Sequence, residues 1–282
     1  MKNGIVILNY NDSENTSMIL EDIKNYKVLD YIIAVDNHST DDSVEKLKKY
    51  ENEKIKIVVA ESNNGYAAGN NIGIKYLLEN FEVDNIIISN PDIIVSEEEI
   101  KTLITDLENE EISVIAPNIK EPTNTSHGWK LPTFLSELVS NIPFFRRFEM
   151  SFLSYTNKEY DNDLTKVDVV KGCFFIIKKE VLESIGLFDE NTFLYYEEII
   201  MAKKLKEKGY NTYVDNRVTV IHALSASIDK SVKRIEKFKM LKTSQYYYEK
   251  YINKMNVFKL LILRVFYYIY LLGLEIESIS RK

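Results

Sequence analysis

The alternation of strand-like and helix-like segments over the first 120 residues is the feature that most constrains the fold. Nearly continuous apolar runs at residues 5–8, 31–35, 55–60, 85–89 and 113–116 are typical of strands covered on both faces of a parallel sheet. Amphipathic segments at about 13–25, 42–52, 70–80 and 97–109 separate them. Strand–helix alternation of this kind predicts an α/β fold, with a doubly wound, mostly parallel sheet and right-handed crossovers.

Composition excludes several classes of function. The 282 residues carry a net charge of −7, and a protein whose main partner is nucleic acid needs a basic face. The single Cys173 excludes a disulfide scaffold and a thiolate zinc site, and three histidines are too few for a histidine-rich metal cage. The N-terminal residues resemble a first strand more than a signal peptide, so we expect a cytoplasmic protein.

The second half of the chain is less regular. Residues 120–166 contain three of the five prolines and the only tryptophan, Trp129, which is typical of a binding loop or lid. Beyond it the pattern predicts a strand at 167–178, helices at 179–185 and 197–208, and strands at 212–214 and 218–222. Ser39 and Ser96 are predicted to cap the second and fourth helices. The chain after residue 225 is predicted to be helical.

Polar segments follow four of the predicted strands, at residues 9–12, 36–41, 63–71 and 90–92. Any one of them alone could be an ordinary turn or helix cap, because Asn, Asp, Gly and Ser favour both. Four at one edge of a sheet favour a shared ligand site, because ligands of open α/β sheets bind beyond the carboxyl ends of the strands. Asp36 could accept hydrogen bonds from a nucleobase or ribose, and Asp92 could hold a hard divalent cation. The dinucleotide and P-loop glycine fingerprints are absent from the sequence.

Seven segments together resemble a known family. They are VILNYN at 6–11, VDNHSTD at 35–41, NNGYAAGNNIG at 63–73, SNPDI at 89–93, GCFFIIKKEVLESIGLFDE at 172–190, FLYYEE at 193–198 and VIH at 220–222. In this order they resemble the inverting family 2 glycosyltransferases of GT-A fold, particularly the bacterial rhamnosyltransferase-like branch. The resemblance covers roughly residues 3–225. It implies a GT-A domain over residues 1–228 and a separate helical tail over residues 229–282.

The resemblance implies roles for individual residues. Asp92 and His222 would hold Mg²⁺ or Mn²⁺, and Glu198 would be the catalytic base, with Glu197 as the fallback. Apart from the resemblance, His127 and Trp129 in the irregular segment could contact the acceptor, since an aromatic face stacks against sugar rings, or could have a structural role. Gly172 is a further candidate acceptor contact. The implied nucleotide and donor contacts are Asn9, Tyr10, Asn11, Asp36, Asn37, Asn64, Gly65, Asn70 and Asn90. A single displacement needs one carboxylate to take the acceptor proton, and a divalent ion stabilises the leaving diphosphate.

Three positions depart from the family pattern. Asn90 stands where the metal motif has its first acid, Glu198 replaces an aspartate, and Ile200 stands where relatives often have another acid. Neighbouring positions on a helix point about 100° apart, so Glu197 and Glu198 cannot both face one atom. Asn90 and Ile200 support one alternative, a non-catalytic nucleotide-sugar-binding protein of the same fold, whereas Asp92, Glu198 and His222 together oppose it. A nucleotidyltransferase is opposed by the missing Gly-rich, basic loop after the first strand.

The tail differs in charge from the rest of the chain. Ten basic and three acidic residues lie between Asp229 and Arg264, and residues 257–274 are apolar apart from Lys259 and Arg264. The pattern favours an interfacial helix on an anionic membrane surface. A helical hairpin packed on the body, a homodimer contact and a true membrane span remain alternatives.

The expected function follows from the resemblance. It is transfer of a sugar of rhamnose, galactose or glucose type from a UDP- or dTDP-linked donor. The acceptor would be a glycan or a lipid-linked molecule in bacterial surface polysaccharide synthesis. The expected location is the cytoplasm, or the inner face of the cell membrane through the tail, and no nucleic acid partner is expected.

Overall fold

A computed structural model of the chain describes residues 1–142, 149–160, 162–223 and 234–280. Within these residues one sheet contains the strands β1 (Asn3–Asn9), β2 (Tyr31–Asp36), β3 (Ile55–Val59), β4 (Asn85–Ser89), β5 (Ile93–Ile94), β6 (Val114–Lys120), β7 (Thr125–Ser126), β8 (Leu164–Val167), β9 (Phe174–Lys178) and β10 (Thr212–His222). The helices are α1 (Ser13–Ile23), α2 (Ser43–Lys48), α3 (Tyr66–Asn80), α4 (Glu97–Leu107), α5 (Phe134–Ser140), α6 (Glu149–Leu153), α7 (Asn157–Tyr160), α8 (Lys179–Ser184), α9 (Glu197–Glu207), α10 (Arg234–Tyr247) and α11 (Val257–Ser280). A π-helical turn, Tyr248–Ile252, follows α10.

The sheet has the order β3-β2-β1-β4-β9-β6-β10-β5. The pairs β1–β2, β2–β3, β1–β4 and β6–β10 are parallel, whereas β9 runs antiparallel to both of its neighbours. The predicted mostly parallel, doubly wound sheet is therefore confirmed. The register of β1 with β2 sets Asn9 opposite Asp36, so two of the predicted polar strand ends meet.

Two apolar clusters cover the two faces of the sheet. One includes Ile5, Ile7 and Ile32, and the other includes Val6 and Val35, so successive residues of a strand enter different clusters. All seven residues of β1 are buried, which explains the unbroken apolar run in the sequence.

Some element boundaries differ from the sequence prediction. The strand expected at 167–178 is two strands, because Asp168 and Gly172 interrupt it, and the loop between them reaches the candidate site. The strands expected at 212–214 and 218–222 form the single strand β10, whose register shifts between Asp215 and Thr219. Ser96 caps α4 in a capping box with Glu99, as predicted. Ser39 does not cap α2, which begins after Asp42.

The tail contains two helices that contact the body. In α11 the side chains of Leu260, Leu263, Tyr270 and Leu274 are buried. Tyr270 and Leu274 pack with Phe238 of α10, and α11 also contacts α5. The proposed domain boundary at 228/229 lies outside the described residues, so the division into two domains stays a prediction.

We expect the Gly73→Ala change to destabilise the fold, because α3 lies directly on β1 and β2 at this point. A Cβ atom at Gly73 would be 2.5 Å from Cγ1 of Val6 and 2.6 Å from Cγ2 of Val35. The expected loss is about 1–3 kcal/mol in urea unfolding. Gly273→Ala in α11 is the matched control, since a Cβ there meets nothing within 4 Å. Equal unfolding free energies for the Gly73 variant and wild type would contradict this packing.

Candidate active site

The ends of β1 and β2 are joined by side-chain hydrogen bonds around Asp36. Asn9 Nδ2 donates to Asp36 Oδ2 at 2.7 Å, and the backbone N–H of Ser39 donates to Asp36 Oδ1 at 2.9 Å. Thr16 Oγ1 donates to Asn9 Oδ1 at 2.8 Å. Asp36 and Asn9 are fully buried. The Asp36 carboxylate therefore organises the two loops, and its contact with a nucleobase stays a prediction.

Two amide side chains lie close to this cluster, Asn37 directly after β2 and Asn70 within α3. Asn37 Nδ2 donates to Gly65 O at 3.2 Å, and Asn70 Nδ2 donates to Tyr66 O at 2.9 Å. The Oδ1 atoms of Asn37 and Asn70 are buried and have no hydrogen-bond partner in the described part of the chain. Gly65 has φ +100°, and a Cβ there would collide with the backbone of Phe193. A donor group on a ligand or a water would satisfy these amide oxygens.

The remaining predicted donor residues lie further out. Tyr10, Asn11 and Asn64 are exposed. Asn11 adopts φ +51°, and its Oδ1 accepts a hydrogen bond from the backbone N–H of Thr40 at 2.8 Å.

Asp92 and His222 form a close pair although they are distant in sequence. Strand β5 pairs antiparallel with the end of β10, which sets Ile93 opposite His222. Asp92 Oδ1 lies 3.2 Å from His222 Nε2, and both side chains are buried. Two ligands at adjacent corners of an octahedral metal site, each about 2.1 Å from the ion, lie about 3.0 Å apart. The observed separation fits that arrangement.

A second carboxylate holds the imidazole from its other side. His222 Nδ1 lies 3.0 Å from Glu121 Oε1, and the Lys171 ammonium donates to the same carboxylate. Burial favours protonation of Glu121, but the hydrogen bonds from Lys171 and His222 lower its pKa. Burial also opposes the charged imidazole, yet Asp92 and Glu121 raise the pKa of His222. With Nδ1 bonded to Glu121, Nε2 faces Asp92, and a metal ion would take the place of the proton between them, as in carboxylate–histidine–metal triads.

Sequence reasoning missed Glu121 and Lys171. Lys171 could have been noticed because it directly precedes the Gly172 motif, but nothing in the sequence marks Glu121. Within the described residues no group of three or more His, Cys, Asp and Glu side chains is arranged to hold a metal. A cation here would have at most the pair Asp92 and His222 and would complete its shell with diphosphate oxygens and water, which suits Mg²⁺ or Mn²⁺.

Asn90 has a different environment from Asp92. The Tyr66 hydroxyl lies 2.9 Å from both Asn90 Oδ1 and the carbonyl oxygen of Gly172. The backbone N–H of Asn90 donates to Cys173 O at 2.8 Å. Asn90 thus joins β4, α3 and the start of β9. Burial raises the pKa of the Cys173 thiol to about 12, which fits the predicted core role.

Glu197 and Glu198 begin α9 and have different environments. Glu198 lies beside Gly172, where a Cβ would be 3.7 Å from its Oε2. Burial raises the pKa of Glu198, whereas the charge of Lys171 lowers it. Glu197 is buried, its Oε1 has no hydrogen-bond partner among the described residues, and burial raises its pKa to about 8. Glu198 therefore lies near Lys171, one end of the Lys171–Glu121–His222 chain.

The predicted acceptor residues are partly accessible. Trp129 pairs through its backbone with Val169, donating to Val169 O at 2.9 Å, and its side chain is half-buried. His127 contacts Asn118 at 2.7 Å and packs on Tyr160, and burial lowers its pKa. These contacts give His127 a structural role. A role for Trp129 and Gly172 at the acceptor stays a prediction.

Comparison with known proteins identifies the family. The family described as "Glycosyl transferase family 2" matches residues 4–186. The chain belongs to glycosyl transferase family 2. The chain is 29% identical over 223 residues to the low-salt glycan biosynthesis hexosyltransferase Agl10 of Haloferax volcanii, covering 78% of this chain and 66% of that protein. It is 25% identical over 229 residues to the dTDP-rhamnosyl transferase RfbF of Shigella flexneri, covering 81% and 70%.

A solved structure supports the fold of this family 2 glycosyltransferase. The mannosyltransferase PcManGT of Pyrobaculum calidifontis, in complex with GDP-Man and Mn²⁺, aligns with a TM-score of 0.58 at 13% identity. The alignment covers 94% of this chain and 73% of that one. The predicted family and GT-A fold are confirmed, and the non-catalytic alternative is not favoured.

The pKa of Glu197 predicts a pH-dependent effect of the Glu197→Gln change. A carboxyl group whose pKa rises from 4.5 to about 8 on folding stabilises the fold below pH 4.5 and loses that contribution as pH rises through 8. The variant should therefore gain stability relative to wild type across this window, by at most about 1.4 kcal/mol per pH unit. Urea unfolding at several pH values measures the difference. Glu110→Gln, at an exposed site, is the control. A pH-independent difference for Glu197→Gln would contradict the assigned environment.

Proposed function

We propose that this family 2 glycosyltransferase transfers a sugar from a nucleotide diphosphate donor to a glycan or lipid-linked acceptor, with inversion at the anomeric carbon. The observation that carries the proposal is the meeting of side chains from four strand ends. The Asp92–His222 pair, the Glu121–Lys171 contact and Glu198 beside Gly172 lie along one edge of the sheet. Such an edge can hold a diphosphate on one side and a carboxylate base on the other.

The donor would lie along the loops after β1, β2 and before α3. The Asn9–Asp36 cluster and the unsatisfied amides of Asn37 and Asn70 would face the nucleoside. Asp92 and His222 would hold Mg²⁺ or Mn²⁺. When bound, such an ion stabilises the negative charge of the leaving diphosphate as a Lewis acid. Lys171 adds a fixed positive charge to the same edge.

Glu198 would accept the proton of the attacking acceptor hydroxyl. An efficient general base has a pKa near the working pH, and burial moves the pKa of Glu198 in that direction. Burial also raises the pKa of Glu197, to about 8, so acidity does not separate the two glutamates. Their positions do, because Glu198 lies beside Gly172 at the edge that carries Lys171. This argument favours Glu198 over Glu197 as the base.

The names of two relatives narrow the range of candidate donor sugars. One is named as a hexosyltransferase and another as a dTDP-rhamnosyl transferase. We therefore place dTDP- or UDP-linked rhamnose, glucose and galactose first among the candidate donors. A surface polysaccharide or its lipid-linked precursor is the proposed acceptor.

The Glu198→Gln variant should lose transfer and keep donor binding. The glutamine side chain has the size of the glutamate it replaces but cannot accept the proton, so we expect turnover to fall by at least about 100-fold. The measurement is turnover, alongside binding of the same donor by calorimetry. Glu110→Gln is the control. Turnover of Glu198→Gln close to wild type would remove Glu198 from the base role.

The Asp92→Ala variant should weaken metal binding in the presence of nucleotide. With His222 as the remaining protein ligand, the Mn²⁺ affinity should fall by at least about tenfold. The measurement is the electron paramagnetic resonance signal of free Mn²⁺, titrated with protein in the presence of UDP or dTDP. Asp22→Ala, at an exposed position of α1, is the control. An unchanged Mn²⁺ affinity would contradict the assignment.

We also propose that the tail binds the inner surface of the membrane. Val257–Ile276 is, by length and composition, the candidate membrane span among the described residues. One face of this helix is packed on α10 and α5, whereas Val257, Leu261, Val265, Tyr268, Leu272 and Ile276 are exposed on another face. Lys250, Lys254, Lys259 and Arg264 are exposed near its start. An exposed apolar face beside basic side chains favours an interfacial position on anionic lipid over a span.

The double variant Leu261→Glu/Val265→Glu should bind anionic vesicles at least about tenfold more weakly than wild type, because two apolar contacts are replaced by charge. The measurement is co-sedimentation with phosphatidylglycerol vesicles. Met18→Glu/Val59→Glu adds the same charges at exposed apolar positions elsewhere and is the control. Equal binding by Leu261→Glu/Val265→Glu and wild type would exclude this face. A wild-type dimer that ignores vesicles would favour the dimerisation alternative.

A further inference from the structure

A buried carboxylate outside the proposed donor site joins three separate parts of the chain. Glu137, in α5, is 2% exposed. The Tyr196 hydroxyl lies 2.7 Å from Glu137 Oε1 and 2.9 Å from Oε2, and Gln245 Nε2, in α10, donates to Oε2. Tyr196 and Gln245 are also buried. Helix α5 and the tail therefore meet next to Tyr196, the residue that directly precedes Glu197 and Glu198 of α9.

Tyr196 has a backbone conformation that depends on such contacts. Tyr195 and Tyr196 both have φ +73°, in the left-handed region that bulky residues rarely adopt. Strained residues of this kind persist where the surrounding structure fixes them, and they cluster at functional sites. Because α9 starts directly after Tyr196, the conformation of Tyr196 sets the directions in which Glu197 and Glu198 leave the backbone.

The tail holds the same segment at further points. Ser244 Oγ donates to the carbonyl oxygen of Leu194 at 2.8 Å, and the rings of Tyr196 and Tyr248 lie 5.6 Å apart. The Tyr247 hydroxyl lies 3.2 Å from both carboxylate oxygens of Asp189. These contacts fix the segment between Asp189 and Tyr196 from one side, whereas Glu137 fixes it from α5.

A buried carboxylate is an unusual choice for packing alone. Burying a charge is unfavourable, and apolar residues of similar volume often stabilise a fold as well or better. A carboxylate does provide two acceptor oxygens, one for a hydroxyl and one for an amide, with defined directions. The hydrogen bonds of Glu137 are thus suited to holding the Tyr196 side chain in one position relative to α5 and α10.

We propose that Glu137 is a positioning residue for transfer: it acts through Tyr196 to hold Glu198 in the orientation in which it can accept the acceptor proton. The proposal rests on the proposed function of Glu198. It also assigns a role to the tail, because Gln245 supplies the second hydrogen bond to Glu137.

The Tyr196→Phe variant tests this proposal, since it removes one hydroxyl and keeps the ring. We expect kcat to fall at least tenfold, whereas the donor KM and metal-dependent donor binding stay within twofold of wild type. Tyr26→Phe is the matched control, because the Tyr26 hydroxyl also donates one hydrogen bond, to Val95 O at 3.1 Å, far from α9 in sequence. A kcat within twofold of wild type, or a loss of donor binding as large as the loss of kcat, would overturn the proposal.

An exchange of the two partners gives a rescue test. Glu137→Gln should lower kcat in the same way, and the double variant Glu137→Gln/Gln245→Glu should recover at least half of the loss, because it returns one carboxylate and one amide to the same contact. A double variant no more active than Glu137→Gln would count against positioning through this contact.

Hydrogen exchange separates this proposal from the proposed function. Amides at residues 197–201 should exchange at least tenfold faster in Tyr196→Phe than in wild type or Tyr26→Phe, with any donor or none. Equal exchange in the three proteins would overturn the positioning role. Failure of the wild-type chain to transfer any sugar would overturn the proposed function, and the exchange rates would still decide whether Tyr196 holds the start of α9.

Discussion

The contact between Asp92 and His222 is the interaction on which the candidate site depends. It joins the loop after β4 to the end of β10, strands that are separated in the sheet by β9 and β6. The contact forms because the short strand β5 folds back against β10. Glu121, at the end of β6, and Lys171, before β9, then complete one chain of charges across the sheet edge. Each member of this chain comes from a different strand end.

Burial gives two neighbouring glutamates different properties. Glu197 has an oxygen without a partner among the described residues, and burial raises its pKa, whereas the positive charge of Lys171 opposes the effect of burial on Glu198. Both residues begin α9 directly after Tyr195 and Tyr196, which have left-handed backbone conformations. Helix α5 contacts Tyr196 through Glu137, and α10 contacts the preceding segment through Ser244. The orientation of the proposed base therefore depends on parts of the chain distant in sequence, including the tail.

Much of the fold could be predicted because apolar runs and strand-end polar residues are local signals. The strand ends at Asp36 and Asp92 could be identified from the sequence alone, and the family motifs added His222 and Glu198. The partners of these residues could not be predicted, because they are set by tertiary structure. Glu121 lies 101 residues from His222 and 50 from Lys171, and no spacing rule connects them. The left-handed backbone at Tyr195 and Tyr196 could not be predicted either, because glycine, the residue that usually marks this conformation, is absent at both positions. The Glu137–Gln245 contact joins residues 108 positions apart in the sequence.

The most direct measurement of the central claim is a calorimetric titration of the wild-type chain with UDP- and dTDP-linked rhamnose, glucose and galactose, with Mn²⁺ and again after chelation. A donor site built on Asp92 and His222 should bind one donor of the panel with Mn²⁺ and lose at least about tenfold in affinity, or 1.4 kcal/mol, when the metal is removed. A donor that binds equally well after chelation would contradict the account, because the diphosphate would then be held without the Asp92–His222 pair.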